Sequence, residues 1–279
     1  MKYRIIGDSC FDWTEKEKAD PHFAVVPLML QIGEEHIVDD DTFDQKSFLQ
    51  KVRECPTAPK TACPSPALFK EAYECDADNI FVITLSGKLS GSYNSAVVAK
   101  QMYEEEHGHV KNIHVVDSKS ASSGELNIGL FIQELCEQTL PFDEIVARAE
   151  AYRDSMETWF VLGTLDHLWK NGRITRFSAA ALTALNIRPV MCAEDGEIIK
   201  ISQDRGCDRA LKKMVKLAVA KVGETASRRL IISHVNCPER AEFVKKMALE
   251  IASFKDSIIT DTQGVATIYA ADGGIIMTM

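Results

Sequence analysis

Residues 83–100, ITLSGKLSGSYNSAVVAK, set two Ser-Gly pairs and a lysine between an apolar run and a helical pattern. A strand ending in such a loop points its carboxyl end at the crevice where open α/β sheets bind ligands. The helix that follows offers unpaired N–H groups and the positive end of its dipole. Serine hydroxyls can donate there, and glycine lets a ligand approach the backbone. The guest that fits is an anion, carboxylate or phosphate; the alternative is a capped helix with no ligand. A nucleotide phosphate loop is excluded. Val82 stands where G-x-x-x-x-G-K-[ST] needs its first glycine, and Leu89 follows Lys88 in place of Ser or Thr. The segment Gly87–Gly91 does not match the G-x-S-x-G nucleophile elbow either. Among the seven histidines only His167 and His234 could serve as a base, so a serine-dependent lipid or ester hydrolase using Ser90 stands as the alternative function.

Other loops carry similar chemistry. TACPSP (61–66) offers Thr61, while Ser65 is expected to cap the helix that starts at Pro66. DSCFD (8–12) follows the first strand and DSKSAS (117–122) the fourth. Hydroxyls outnumber acids and bases across these loops, which favours binding over bond-breaking, because acid–base catalysis needs a positioned titratable group. NGRITR puts Arg173 and Arg176 at a glycine turn, where a guanidinium can fork onto carboxylate or phosphate or simply solvate a helix end. Arg205, Arg209, Lys212, Lys213 and Lys216 make one basic helical region, read as a solvated face or a docking surface for an acidic or phosphate-bearing partner.

The elements that would position these loops alternate. KYRIIG, NIFVITLS and NIHVVDS read as strands. DQKSFLQKVREC, SPALFKEAYEC, SYNSAVVAKQMYEEE, SGELNIGLFIQELCEQ and PFDEIVARAEAYRDSM read as helices. FAVVPLMLQIG reads as strand, and PTAPKTACPSP, with four prolines, as irregular. In the second half FSAAALTALNI reads as a small-residue helix. RPVMCAEDGEIIKIS reads as a hairpin turning at Glu194-Asp195-Gly196, and SIITDTQGVATIYAADGGIIMTM as the last strands. The alternation predicts an α/β protein with a largely parallel sheet. Its domains are expected at 1–155, carrying the anion-binding loops, and 156–279. The 279 residues carry a net charge of −9, which disfavours nucleic acid. No signal peptide and no run long enough to span a membrane is evident, so a cytoplasmic protein without stable membrane insertion is expected. The eight cysteines form no C-x-x-C pair and are read as reduced thiols, with no metal and no cofactor expected.

Taken in order, DSCFD (8–12), PLML (27–30), TACPSP (61–66), LSGSYNSA (89–96), DSKSAS (117–122), LWKNGRIT (168–175), NIRPVMCAEDGEI (186–198), ISHVNCPERAE (232–242) and GGIIM (273–277) resemble the bacterial DegV family of fatty-acid-binding proteins. The resemblance implies an EDD fold: two α/β domains with an apolar lipid tunnel between them. One long-chain fatty acid, such as palmitate, lies in that tunnel, carried or presented to a fatty acid kinase subunit by a protein that is not itself catalytic. It also implies carboxylate ligands at Thr61 and Ser90. Ala62 stands where the family often has a second hydroxyl, and Tyr269 where kinase-linked members commonly carry a histidine. A phenol can hydrogen-bond a carboxylate but does not become cationic near neutral pH. Arg173 matches the arginine of the family's GRI turn and Arg205 the one before its basic helix; both are implied contacts for a phosphate or a partner.

Overall fold

The computed structural model describes residues 2–174 and 186–279. Arg176 and most of the expected FSAAALTALNI helix lie outside them. The first sheet has the order β2-β1-β6-β7. It comprises β1 (Tyr3–Asp8), β2 (Phe23–Val26), β6 (Asn79–Thr84) and β7 (Asn112–Asp117), every neighbouring pair parallel. A parallel sheet is covered on both faces, so its strands read as unbroken apolar runs; all six residues of β6 are buried. On one face pack α3 (Pro66–Tyr73) and α4 (Ser92–His107), on the other α5 (Ser123–Glu137) and α6 (Phe142–Ser155). Ser65 caps α3 as expected, its Oγ accepting from the Leu68 N–H at 3.4 Å, with Pro66 in the first turn.

Two expectations in this half need correction. FAVVPLMLQIG is not one strand: it breaks at Pro27-Leu28 into β2 and β3 (Met29–Ile32), which belong to different sheets. The Leu28 N–H leaves the ladder to donate to Ser9 Oγ at 3.0 Å. The proline-rich loop is not wholly irregular either. Lys60–Ala62 form β5, antiparallel to β3, whose other neighbour is β4 (Glu35–Val38). Prolines 59 and 64 flank this short edge strand rather than occupy it, and such a placement costs no ladder bond.

The six-stranded sheet runs β10-β9-β8-β13-β11-β12. Its strands are β8 (Thr158–Val161), β9 (Ile187–Glu194), β10 (Glu197–Arg205), β11 (Arg229–His234), β12 (Asp256–Asp261) and β13 (Ile275–Thr278). Only β11 and β12 pair in parallel, so the parallel expectation fails for this half. The β9–β10 hairpin turns at Asp195-Gly196 as expected, with φ of 46° and 81°. Positive φ at both central residues is what a tight two-residue hairpin requires. Helices α8 (Cys207–Val222) and α9 (Pro238–Ile251) cover one face through Trp159, Val190, Leu230 and Met277. The segment expected as terminal strands alone also contains a helix, α10 (Gly264–Ala270), between β12 and β13.

Helix α5 joins the two sheets. Most of it is buried, because it packs on β1 and β6 on one side and on β11 and β13 on the other. Its buried residues include the polar Ser123, Glu125 and Asn127, and Asn127 Nδ2 donates to the Arg229 carbonyl at 3.2 Å, at the start of β11. Three apolar clusters mix residues from both sides of residue 155, among them Ile231 with the α5 group and Val265 with Leu30 and Phe48. Among the described residues no helix is long and apolar enough to cross a membrane.

Candidate functional site: an apolar cavity with hydroxyls on its wall

Between α10, the six-stranded sheet and the loops of the parallel sheet lies a cavity of ≈ 330 Å³. Its greasy wall comes from Phe160, Leu162, Leu168, Ile198, Val265 and Ile276. Phe160 and Ile276 sit on the face of the six-stranded sheet opposite α8 and α9. The polar groups on its wall are Thr61, Ser90, Arg173 and Tyr269, together with Lys119 and the pair Ser120 and Thr158, whose hydroxyls lie 2.7 Å apart.

Each polar group is placed by its own element. Leu30 on β3 pairs with Thr61 on β5. Leu30 is fully buried, and strand alternation turns Lys60 and Ala62 outward while Thr61 faces the interior. Thr61 Oγ1 lies 2.9 Å from Tyr269 OH, so residues 208 apart in sequence meet. Ser90 lies in the turn after β6, where the Ser86 carbonyl accepts from the N–H groups of Leu89 and Ser90. Ser90 Oγ accepts from the Ser92 N–H at 3.2 Å and shares a bond with Ser92 Oγ at 3.1 Å. Gly91 lets the β5 loop close in: a Cβ there would stand 2.9 Å from Cys63 Sγ. Arg173 donates to the Leu89 carbonyl at 3.3 Å and places its guanidinium 5.9 Å from the centre of the Tyr269 ring.

Thus Thr61, Ser90, Tyr269 and Arg173 line one cavity. Arg205 does not: it is exposed at the end of β10, its carbonyl accepting from Arg209 Nε at 2.6 Å. Neither histidine singled out as a base hydrogen-bonds Ser90. His167 Nδ1 is engaged by the Ile268 carbonyl at 2.7 Å, and His234 lies 3.4 Å from the Cys237 nitrogen and from Asp261. All eight cysteines are free. Cys10 lines the cavity, with its thiol pushed well up by burial and by the Glu125 charge. Among the described residues no group of His, Cys, Asp and Glu is arranged to hold a metal ion.

Sequence reasoning missed the buried acids that fasten the site. Asp8 accepts from the N–H groups of Cys10 and Leu85 at 3.0 and 2.9 Å, tying the first loop to the end of β6. Asp12 accepts from the Gln263 N–H at 2.7 Å and from Ser122. Asp39 accepts from Gly264 N–H, Val265 N–H and Ser9 Oγ at 2.8, 3.0 and 2.8 Å. Two carboxylates from the first half therefore hold three consecutive N–H groups at the start of α10, the helix that carries Tyr269. Burial pushes both Asp12 and Asp39 up to about 7. The one local signal was the acid pairs in DSCFD and VDD directly after strands.

Residues 2–277 match the DegV family, described as uncharacterised proteins. A DegV domain-containing protein of Streptococcus gordonii is 37% identical over 287 residues, covering 99% of this chain and 98% of its own. The crystal structure of a DegV family protein from Ruminococcus gnavus, refined with vaccenic acid, superposes with a TM-score of 0.96 at 44% identity over 99% of both chains. The Streptococcus pneumoniae fatty acid kinase B3 protein, loaded with linoleic acid, superposes with a TM-score of 0.90 at 32% identity, covering 100% of this chain and 99% of that one. This chain belongs to the DegV family.

Proposed function

We propose that the protein binds one long-chain fatty acid in a tunnel between units 1–155 and 156–279, and carries it or presents it to a fatty acid kinase subunit rather than transforming it. The carrying observation is a largely apolar cavity in which Thr61 comes within 2.9 Å of Tyr269 and which Ser90 also lines. A carboxylate takes two to four hydrogen bonds, and three hydroxyls can supply them, with the part-buried Arg173 guanidinium adding charge from across the Tyr269 ring. The tail supplies affinity: about fifteen buried carbons at about 0.8 kcal/mol each give roughly 12 kcal/mol before the cost of association. The fatty acids named for the R. gnavus and S. pneumoniae relatives support the ligand class, and the pneumococcal protein supports the kinase link. Arg173, stacked on Tyr269 at the polar end, is the residue this reading assigns to a phosphate or to the partner; Arg205 is a surface contact for the partner only.

The test is direct. Purified protein is extracted with organic solvent and the extract weighed by mass spectrometry. Delipidated protein is then titrated with palmitate. One equivalent of acyl chain, and a thermal shift equivalent to about 2.7 kcal/mol at one hundred times Kd, are expected. Absence of both defeats the proposal. Transfer of phosphate onto the bound acid by an added fatty acid kinase subunit tests the presentation step separately.

A further inference from the structure

A second cavity, of ≈ 320 Å³, opens at one edge of the six-stranded sheet. Topology forces several chain ends to meet there. Strands β8 and β11 both pair antiparallel with β13, so they run in the same direction and end together, at Leu162-Gly163 and at Asn236-Cys237. Strand β13 begins beside them after Gly273, and α9 starts directly at Pro238. Arg205 at the end of β10 pairs with Ile187 at the start of β9, which brings the first turn of α8 to the same edge.

Two arginines line this cavity, Arg188 from β9 and Arg240 from α9. Arg188 spends one N–H on the Gly163 carbonyl at 2.5 Å, and Arg240 spends one on the Gly273 carbonyl. A guanidinium has five N–H donors, so most remain uncommitted within the described contacts. Neither arginine pairs with a carboxylate among the described residues, and residues 175–185 contain no acid. The acid on the wall, Asp272, is already engaged: one oxygen faces Arg53 at 3.3 Å and the other accepts from Asn236 Nδ2 at 3.1 Å. Asp208 and Glu239, in the first turns of α8 and α9, are also nearby, and both are exposed. Both guanidiniums act on the interior of the cavity. Burial raises the Cys207 thiol, and Arg240 and then Arg188 oppose the rise; burial pushes Cys237 up to about 11 against Arg240.

We propose that this cavity binds a phosphate-class oxyanion, inorganic phosphate or the phosphate of a small ester, gripped by Arg188 and Arg240. Paired guanidinium forks match the planar oxygen edges of phosphate, and two positive charges suit a dianion better than a single carboxylate. The arginines carry the assignment. The first turns of α8 and α9, neither capped by a side chain, add favourable dipoles at the same edge. The site is separate from the acyl cavity except at Leu162, which lines both.

Full-length protein is titrated with inorganic phosphate, glycerol 3-phosphate and AMP at constant ionic strength, with chloride as the control, by calorimetry. Saturable binding of at least one is expected, weakened about 10- to 100-fold in Arg188→Gln and in Arg240→Gln and less in Arg240→Lys, which keeps the charge but not the fork. Palmitate binding should be unchanged in all three variants, which separates this site from the fatty-acid reading and verifies the fold. Preference for an ester over inorganic phosphate identifies the source. A measurement on the unmutated protein stands beside the variants: the bound anion should slow maleimide alkylation of Cys207 and Cys237, and chloride should not. No saturable binding beyond chloride, glutamine variants that bind like the parent, or unprotected cysteines would each overturn the proposal.

Discussion

Asp39→Asn tests whether the acyl cavity is held in shape from outside its own walls. Asp39 does not line the cavity and is 2% exposed. One of its oxygens takes the Gly264 N–H, and the other takes Val265 N–H and Ser9 Oγ. Asparagine has one acceptor oxygen and an NH₂ that cannot accept. With the oxygen turned to Val265 and Ser9, the NH₂ confronts the Gly264 N–H, and one buried donor loses its partner. That costs about 1–3 kcal/mol. The cavity gives little room to relax, because Gly264 already sits so close that a Cβ there would lie 2.5 Å from Asp39 Oδ1 and 2.4 Å from Leu30. Val265, Ala266 and Tyr269 of the same helix line the cavity, so palmitate affinity should fall by about tenfold for each 1.4 kcal/mol that reaches them. Urea unfolding and palmitate titration of the variant, with Asp76→Asn as a control at an exposed surface pair to Lys2, give both numbers. A variant within about 0.5 kcal/mol of the parent would refute the hydrogen-bond argument; lost stability with unchanged affinity would refute the coupling of Asp39 to the cavity.

Three further outcomes are expected. Tyr269→Phe removes a donor from the polar end and should weaken palmitate binding about tenfold or more while leaving the urea midpoint nearly unchanged; equal affinity would place the carboxylate elsewhere. Gly91→Ala sets a methyl 2.9 Å from Cys63 Sγ, which should prise the β5 loop from Ser90, costing about 1–3 kcal/mol of stability and some affinity, both read from the same titrations. The third concerns pH. Asp12 and Asp39 titrate at about 7 in the folded chain and near 3.9 unfolded. The folded state therefore binds more protons between roughly pH 4 and 7, and stability must fall as pH rises through that window. The urea midpoint should be higher at pH 5 than at pH 8, and Asp39→Asn should flatten the slope; a midpoint rising with pH contradicts it.

Much of the first half was legible because its parallel strands are short apolar runs alternating with helical segments, and because Ser65-Pro66 is a local start signal that no distant contact overrides. What escaped was short or wholly buried. Strand β5 has three residues, too few for alternation to register among four prolines. Helix α10 has no charged residue and is buried almost throughout, so it has no polar face to betray a helical period, and its β-branched residues read as strand. The buried aspartates looked like solvated turn acids because their partners lie far away in sequence, 225 positions in the case of Asp39 and Gly264. The meeting of Thr61 with Tyr269 has the same character. Nothing local announces it, and it was reachable only through the ordered set of family motifs.

The tyrosine at the polar end bears on how such a site holds an anion. A histidine there could supply both a donor and, when protonated, a charge. Tyr269 supplies only the donor, but the guanidinium of Arg173 stacks 5.9 Å from its ring centre and stays charged at any pH the protein meets. The two functions of one imidazole are thereby divided between two side chains: a phenol bonded to Thr61 and an arginine anchored to the Leu89 and Asn171 carbonyls. Both carbonyls belong to loops beside the cavity, the first in the Ser90 turn itself, so the charge is fixed relative to the hydroxyls and does not depend on protonation. On this arrangement any pH dependence of fatty-acid affinity near neutrality traces to groups outside the polar end, foremost Asp12 and Asp39, which hold the start of the helix that carries the phenol.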